Sequence, residues 1–260
     1  MLFNIGDIVT RNSYDNDTFF TIINIEGDVA YLKGINLRLY ADSDISDLVK
    51  VERKDVIDDE RITKSITNTL NLDRSEFFYL PGKVLHIDGD EDYLKRCMNF
   101  YKKLNIMAYG LCLKEADIKT EIGAYLEKLN PDIVVITGHD AYYRRKGSED
   151  NVVNYKNTVN FIDAVKVARN YEKNQDKLII IAGACQSNYE ELIKAGSTFA
   201  SSPKRINIHA LDPAIIASYL ALYDRNKTVD LLEVLGKTKS GADGIGGVMT
   251  KGCMFVGYPR

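Results

Sequence analysis

Asp132-Ile133-Val134-Val135-Ile136-Thr137-Gly138-His139-Asp140 and Lys177-Leu178-Ile179-Ile180-Ile181-Ala182-Gly183-Ala184-Cys185-Gln186-Ser187 are two stretches of one design. Each is a short aliphatic run, rich in β-branched residues and closed by a glycine, which is the pattern of a strand buried on both faces of a parallel sheet. In open α/β sheets, ligands and chemistry gather just past the carboxyl ends of such strands. One strand therefore brings a histidine to that edge and the next brings a cysteine. Residues 151–171, between them, are long enough for the crossover helix that sets parallel strands side by side. The pairing predicts a Cys–His dyad made of Cys185 and His139.

The rest of the composition narrows the class. The chain has 260 residues, 45% hydrophobic and 27% charged, ordinary values for a globular protein. A net charge of −3 gives no reason to expect nucleic acid or an anionic membrane as the main partner. No apolar run approaches the roughly 20 residues that span a bilayer. Met1 to Asp7 has neither a basic segment nor an apolar core, so no secretory signal is expected and the protein should stay in the cytoplasm. The four cysteines, Cys97, Cys112, Cys185 and Cys253, show no C-x-x-C spacing, which argues against a zinc site or a thioredoxin-like motif. In a reducing cytosol they would be free thiols. Only Cys185 stands at a strand-to-helix junction of the kind that presents a nucleophile, and that chemistry calls for no cofactor and no metal.

Three regions follow from the pattern. Residues 1–52 read as a small all-β domain resembling an SH3-like barrel of the KOW or Tudor type, with strands at Ile8–Thr10, Phe19–Ile25, Ala30–Leu32 and Arg38–Ala41. Gly6-Asp7, Asp15-Asn16-Asp17, Glu26-Gly27-Asp28 and Gly34 supply its turns. Residues 53–80 are charged and rich in Asn and Thr, as an exposed helix or a flexible linker would be, and mark the domain boundary. Residues 81–260 alternate strands and helices: strands at Lys83–Ile87, Asn105–Leu113, Asp132–His139, Lys177–Cys185 and Phe199–Ser202, helices between them, and further helices at Pro213–Tyr223 and Val229–Leu235. That alternation implies an α/β fold with a doubly wound, mostly parallel sheet flanked by helices. The tail from Gly241 to Gly257 reads as a glycine-rich loop with a last strand at Cys253–Val256.

A catalytic cysteine needs a base or a cation that favours its thiolate. A helix starting at Cys185 would lower the thiol pKa through its dipole, and His139 would serve as general base and then protonate the leaving amine. Backbone N–H groups around Ala184, Gly138 and Asp140 are the candidates for an oxyanion hole. Read singly, a cysteine after one strand and a histidine after another are packing and capping residues. At equivalent strand ends one βα unit apart, they make a site. His86 and His209 read as packing or hydrogen-bonding histidines, Asp212 as an N-cap, and Arg144-Arg145-Lys146 as a solvated loop open to proteolysis.

The His-to-Cys spacing, residue 139 to residue 185, is close to the roughly 50 residues of caspases, and Ala184-Cys185-Gln186 resembles the second caspase block. The first block departs from it: the glycine precedes His139 as Gly138, and Asp140 follows. A longer set of motifs resembles the YabG family of sporulation-specific peptidases. It comprises Gly6-Asp7-Ile8-Val9, Ala41-Asp42-Ser43-Asp44, Pro81 to Asp90, Thr137 to Tyr142, Gly183 to Ser187, Phe199 to Pro203 and Asn207 to Pro213. The resemblance implies a caspase-like cysteine endopeptidase of endospore-forming bacteria, working in the mother cell and associating with the spore coat. It also implies processing of coat or cortex-associated proteins after Arg or Lys, and processing of itself. A basic P1 side chain asks for a carboxylate in the S1 pocket. In arginine-specific relatives of caspase-like fold an Asp just past the first sheet strand fills that role, which points to Asp88 and Asp90, with Ser201 and Ser202 on the pocket wall. The competing role for these aspartates, for Asp90 more than for Asp88, is to N-cap the following helix. Two other readings compete: a flavodoxin-like hydrolase or transferase of a small molecule, with Mg²⁺ at Asp88-Gly89-Asp90, and a non-catalytic coat scaffold.

Overall fold

In a computed structural model of the protein, residues 3–51, 59–69 and 75–259 are described. The chain divides into two compact units, residues 1–58 and 59–260.

The first unit is a five-stranded antiparallel sheet, β1 (Ile8–Arg11), β2 (Phe20–Glu26), β3 (Val29–Gly34), β4 (Tyr40–Asp44) and β5 (Leu48–Lys50), in the order β4-β3-β2-β1-β5. Alternate residues of β2 and β3 turn inward, so that Phe20, Ile22, Ala30 and Leu32 join Val9 and Leu48 in one small core. The fourth strand starts later than the sequence suggests, and β5 follows a short 3₁₀ turn that carries no pattern of its own. The stretch read as a linker falls partly outside the described residues, at 52–58 and 70–74. Between these lies helix α1 (Asp59–Thr69), whose Ile62 and Ile66 are buried in the core of the second unit. The α1 residue Asp59 also pairs with Arg96 at 2.7 Å.

The second unit is a mixed α/β fold around a six-stranded, mostly parallel sheet. Its strands are β7 (Val84–Asp88), β8 (Ala108–Cys112), β9 (Ile133–Thr137), β10 (Ile179–Ala182), β11 (Phe199–Ser201) and β12 (Ile245–Gly247), in the order β12-β11-β10-β9-β7-β8. Only β12 runs antiparallel to its neighbour. Every residue of β7, β9 and β10 is buried, as continuous aliphatic runs demand. Because side chains alternate between faces, Val84, Val135, Ile179 and Ile181 pack on one side with α2 (Glu91–Lys103), α6 (Asp212–Ala221) and α7 (Leu231–Gly236). Leu85, Ile87, Val134, Ile136 and Ile180 pack on the other with α3 (Ile118–Leu129), α4 (Thr158–Tyr171) and α5 (Tyr189–Ala195). All ten residues of α6 are buried, so it is a core helix without a polar face.

The C-terminal tail corrects the expected loop. Residues 241–247 form a short helix α8 (Gly241–Gly244) and the edge strand β12. A Cβ at Gly247 would lie 2.5 Å from the Phe199 ring and 2.7 Å from the Thr198 carbonyl. The glycines that make the segment read as a loop are what let it approach β11. The last strand, β13 (Phe255–Gly257), pairs with β6 (Phe78–Leu80) in a separate two-stranded sheet.

Candidate active site

Parallel pairing of β9 with β10 sets Ile136 opposite Ala182. His139 and Cys185 each lie three residues past that pair in their own strands. The two residues therefore leave the same edge of the sheet at equivalent heights, on adjacent strands.

His139 is enclosed by the ends of the neighbouring strands. Its side chain is 12% exposed. Its N–H donates to Glu115 Oε1 at 2.8 Å, and its carbonyl accepts from Asn157 Nδ2 at 2.7 Å. The ring lies between two carboxylates: Asp90 Oδ2 is 3.8 Å from Nε2, and Glu115 Oε1 is 3.9 Å from Nδ1. The Tyr93 ring packs against it at a centroid distance of 5.8 Å.

Asp140, the next residue, turns away from this pocket. Its Oδ1 accepts from the N–H groups of Ala141 and Asn157, at 2.9 and 2.7 Å, and its Oδ2 accepts from Ser187 Oγ at 2.8 Å and from Thr158 Oγ1. Ser187 Oγ in turn accepts the Ala184 N–H at 3.0 Å. One buried carboxylate thus ties the loop after β9 to the loop after β10 and to the start of α4. Burial pushes the Asp140 carboxyl above its ordinary pKa, against the opposing pull of these four hydrogen-bond partners.

Cys185 sits in a tight turn. Gly183 has φ 101°, and a Cβ there would lie 2.7 Å from Leu192 and 3.3 Å from Ser187 and Ser201. Helix α5 starts only at Tyr189, with Asn188 as its side-chain cap, so the cysteine lies before the helix rather than at its first turn. A seven-residue helix at that distance exerts little dipole on the thiol, which removes the expected helix effect. The segment Ile206–Ala210 covers the sulfur: Ile208 N–H donates to Cys185 Sγ at 3.3 Å, and Cys185 is 1% exposed. Three further contacts fasten the segment. Gln186 N–H donates to the Ile206 carbonyl at 3.0 Å, Ser202 Oγ donates to the same carbonyl at 2.7 Å, and Gln186 Nε2 donates to Asn207 Oδ1 at 3.2 Å.

The four residues expected at an S1 pocket lie at the same edge, all nearly enclosed. Asp88 is fully buried, 3.7 Å from His86 Nε2, and its Oδ1 accepts the Asp90 N–H at 3.0 Å. Asp90 caps α2 through Oδ1, accepting from Asp92 and Tyr93, and turns Oδ2 toward His139. Ser201 and Ser202 are 1% and 0% exposed. The Ala184 N–H is engaged by Ser187, so of the three expected oxyanion contributors it is held inside its own loop. His86 Nδ1 lies 2.8 Å from the Tyr101 hydroxyl. Asp212 collects the N–H groups of His209, Lys239 and Ser240 instead of serving as the side-chain cap of α6. Arg144, Arg145 and Lys146 form an exposed 3₁₀ turn. Among the described residues, no group of three His, Cys, Asp or Glu side chains is placed to hold a metal ion, and no helix is long and apolar enough to cross a membrane.

Glu115, Tyr93 and Asn157 are absent from the sequence-derived set. Glu115 stands in an ordinary charged turn, Lys114-Glu115, and nothing in its spacing separates it from other surface acids.

Comparison with known proteins bears on this edge of the sheet. Residues 4–259 match the family model described as YabG peptidase U57. The chain is 41% identical over 291 aligned residues to the sporulation-specific protease YabG of Bacillus subtilis strain 168, covering 100% of this chain and 99% of that protein. A match that runs the whole length takes in both compact units along with the strand ends that carry Cys185 and His139, and the chain belongs to the YabG family of sporulation proteases.

Proposed function

We propose that this protease is a cysteine endopeptidase with Cys185 as nucleophile and His139 as general base, on a caspase-like α/β domain preceded by an SH3-like barrel. The observation that carries the reading is the equal reach of the two residues past a paired position on adjacent parallel strands. The strand order, with parallel neighbours and one antiparallel edge, supports the caspase-like comparison.

In the proposed reaction His139 takes the Cys185 proton and the thiolate attacks the scissile carbonyl carbon, placing negative charge on the carbonyl oxygen. Backbone N–H groups around Gly138 and Asp140 receive that charge. The C–N bond then breaks, its electron pair leaves with the amine, and the imidazolium supplies the amine's proton. Water, deprotonated by the same imidazole, hydrolyses the thioester and restores the thiol. Before any of this, Ile206–Ala210 must swing off the sulfur, since Cys185 is 1% exposed beneath it.

A basic P1 preference is supported by the acids at this edge. Partial desolvation first, and then the nearby carboxylates of Asp88, Glu91, Asp90 and Glu115, push the Cys112 thiol above its ordinary pKa. Asp90 is the better anchor for a P1 guanidinium, because Asp88 is sealed behind His86. The proposed substrates are spore coat and cortex-associated proteins in the mother cell, together with the enzyme's own exposed basic segments such as Arg144–Lys146.

The test is an intact-mass time course of wild type, Cys185→Ala and His139→Ala, alone and with an Arg-containing peptide. Both variants should fold and lose turnover and self-cleavage. Activity that survives Cys185→Ala would sink the mechanism, and loss of that activity to a chelator would point to a metal-dependent hydrolase. An unchanged P1 profile in both Asp88→Ala and Asp90→Ala would remove the S1 assignment.

A further inference from the structure

We infer that Glu115 is a positioning residue for His139, holding the imidazole in place and favouring its protonated form during turnover. This rests on the Cys–His reading above. Glu115 lies in the turn between β8 and α3, with its side chain 16% exposed. Its Oε1 accepts the His139 N–H at 2.8 Å and stands 3.9 Å from Nδ1 of the same residue. It does not start α3, which begins at Ile118 after Asp117, so helix capping does not account for its position.

The space around it is shaped for a carboxylate. A Cβ at Gly89 would lie 2.3 Å from Glu115 Oε1, and one at Gly138 would lie 2.5 Å from the same oxygen. Neither glycine has a left-handed φ, so room, not backbone freedom, is what a side chain at either place would take away. Gly89 follows β7 and Gly138 follows β9. Two strand ends therefore leave out a side chain at the point where a third loop inserts its acid.

The groups facing His139 come from four directions. Glu115 lies against Nδ1, and Asp90, from the β7–α2 turn, lies against Nε2. Tyr93 of α2 packs on the ring, and Asn157, just ahead of α4, donates to the His139 carbonyl. Asp88 stands behind Asp90, holding its N–H. The Asp140 carboxylate is directed to Ser187 and Thr158. A carboxylate beside the ring stabilises the imidazolium that forms when the thiol gives up its proton, and the backbone contact fixes the ring's attachment point.

The test compares Glu115→Gln and Gly89→Ala with wild type by kcat, KM and the pH dependence of kcat/KM on an Arg-containing peptide. Gln keeps the size and a hydrogen-bond acceptor but loses the charge. Its expected effect is a fall in kcat of about tenfold with KM within about twofold. The acid limb, which reports protonation of the free His139 base, should move down by about one pH unit, because removing a nearby negative charge makes the imidazolium easier to deprotonate. Gly89→Ala should act in the same direction by displacing Oε1, and the double variant should be no worse than the more damaged single. A merely structural Glu115 would lower the melting temperature and leave the pH limb where it is. Wild-type kcat and an unmoved limb in Glu115→Gln, alongside an inactive His139→Ala, would overturn the inference and leave the dyad standing. Wild-type turnover in His139→Ala would overturn both.

Discussion

Replacing Arg205 with alanine tests whether Cys185 is reached through local opening of the segment above it. Arg205 immediately precedes that segment and anchors it. Its Nε donates to the Tyr155 hydroxyl at 2.9 Å, one terminal nitrogen donates to the Ser202 carbonyl at 3.2 Å, and the other pairs with Glu190. Glu190 is 53% exposed, so solvent screening limits the ion pair to well under about 1 kcal/mol. Each of the two hydrogen bonds from the charged donor adds about 1 kcal/mol. The backbone at Arg205 is left-handed, φ 53°, and equally strained for alanine, so that cost cancels between the two proteins. The segment should then open more easily by about 2 kcal/mol, which at about 1.4 kcal/mol per factor of ten raises the open population roughly 30-fold. The assay is pulsed alkylation with iodoacetamide under native conditions, read for each cysteine by peptide mass. Cys112 is exposed and reports the reagent. Cys253 is buried with its thiol pushed up to about 12, and reports global unfolding. In the Arg205→Ala variant, Cys185 labelling should accelerate roughly 30-fold while Cys112 and Cys253 keep their wild-type rates. Wild-type labelling of Cys185 as fast as Cys112 would show that the segment does not guard the thiol. An unchanged Cys185 rate in the variant would show that Arg205 does not hold the segment.

The other predictions concern the frame of the site. Because burial raises the Asp140 pKa above 3.8, the folded state holds that proton longer than the unfolded chain. This carboxyl's contribution to stability is therefore lost as pH rises from about 3.8 through the raised value. Asp140→Asn should flatten that part of a melting-temperature profile while costing about 1–3 kcal/mol at neutral pH through its mismatched hydrogen bonds, and an unaltered slope would remove Asp140 as its source. Gly247→Ala, with a Cβ 2.5 Å from Phe199, should destabilise the second unit by about 1–3 kcal/mol in urea unfolding, and wild-type stability would show that β12 can draw back without loss. Ile66→Ala removes a side chain that is 2% exposed on α1 and should cost about 2–4 kcal/mol. A cost under about 0.5 kcal/mol would mean that α1 does not contribute to that core.

How much was legible in the chain depends on the kind of force that shapes each element. The strands carrying His139 and Cys185 are written as uninterrupted aliphatic runs, because a strand buried on both faces has no other composition open to it. Helices α2, α3 and α4 follow from the strand alternation, although α4 begins at Thr158, well inside the 151–171 crossover segment. The three-residue strands β5, β6 and β12 are too short for any period, and long-range pairing alone defines them. Helix α1 hides in a segment whose charges suggest a linker, and Ile62 and Ile66 are the apolar residues that mark its buried side. In the site, the proposed nucleophile and base announce themselves by position on strands. Glu115 and Ser187 act through contacts that depend on which loops meet, and that information lies in the strand order.

Three glycines stand at the ends of three central strands: Gly89 after β7, Gly138 after β9 and Gly183 after β10. In each case the volume of the missing side chain is taken by other residues of the second unit. Glu115 fills the first two, and Leu192, Ser187 and Ser201 crowd the third. Side chains at these points would push the strand ends apart from their neighbours. Without them, the loop after β8 can reach His139, and the Cys185 turn can settle against α5 and β11. The placement of the proposed base and nucleophile is thus set by what packs behind them as well as by the sheet. A substitution at Gly138 should accordingly damage turnover through the displaced Glu115, whereas at Gly183, with φ 101°, backbone strain adds to the clash with Leu192. Removing the Glu115 carboxylate from the Gly138 variant should add little further damage, because the two changes act on one contact.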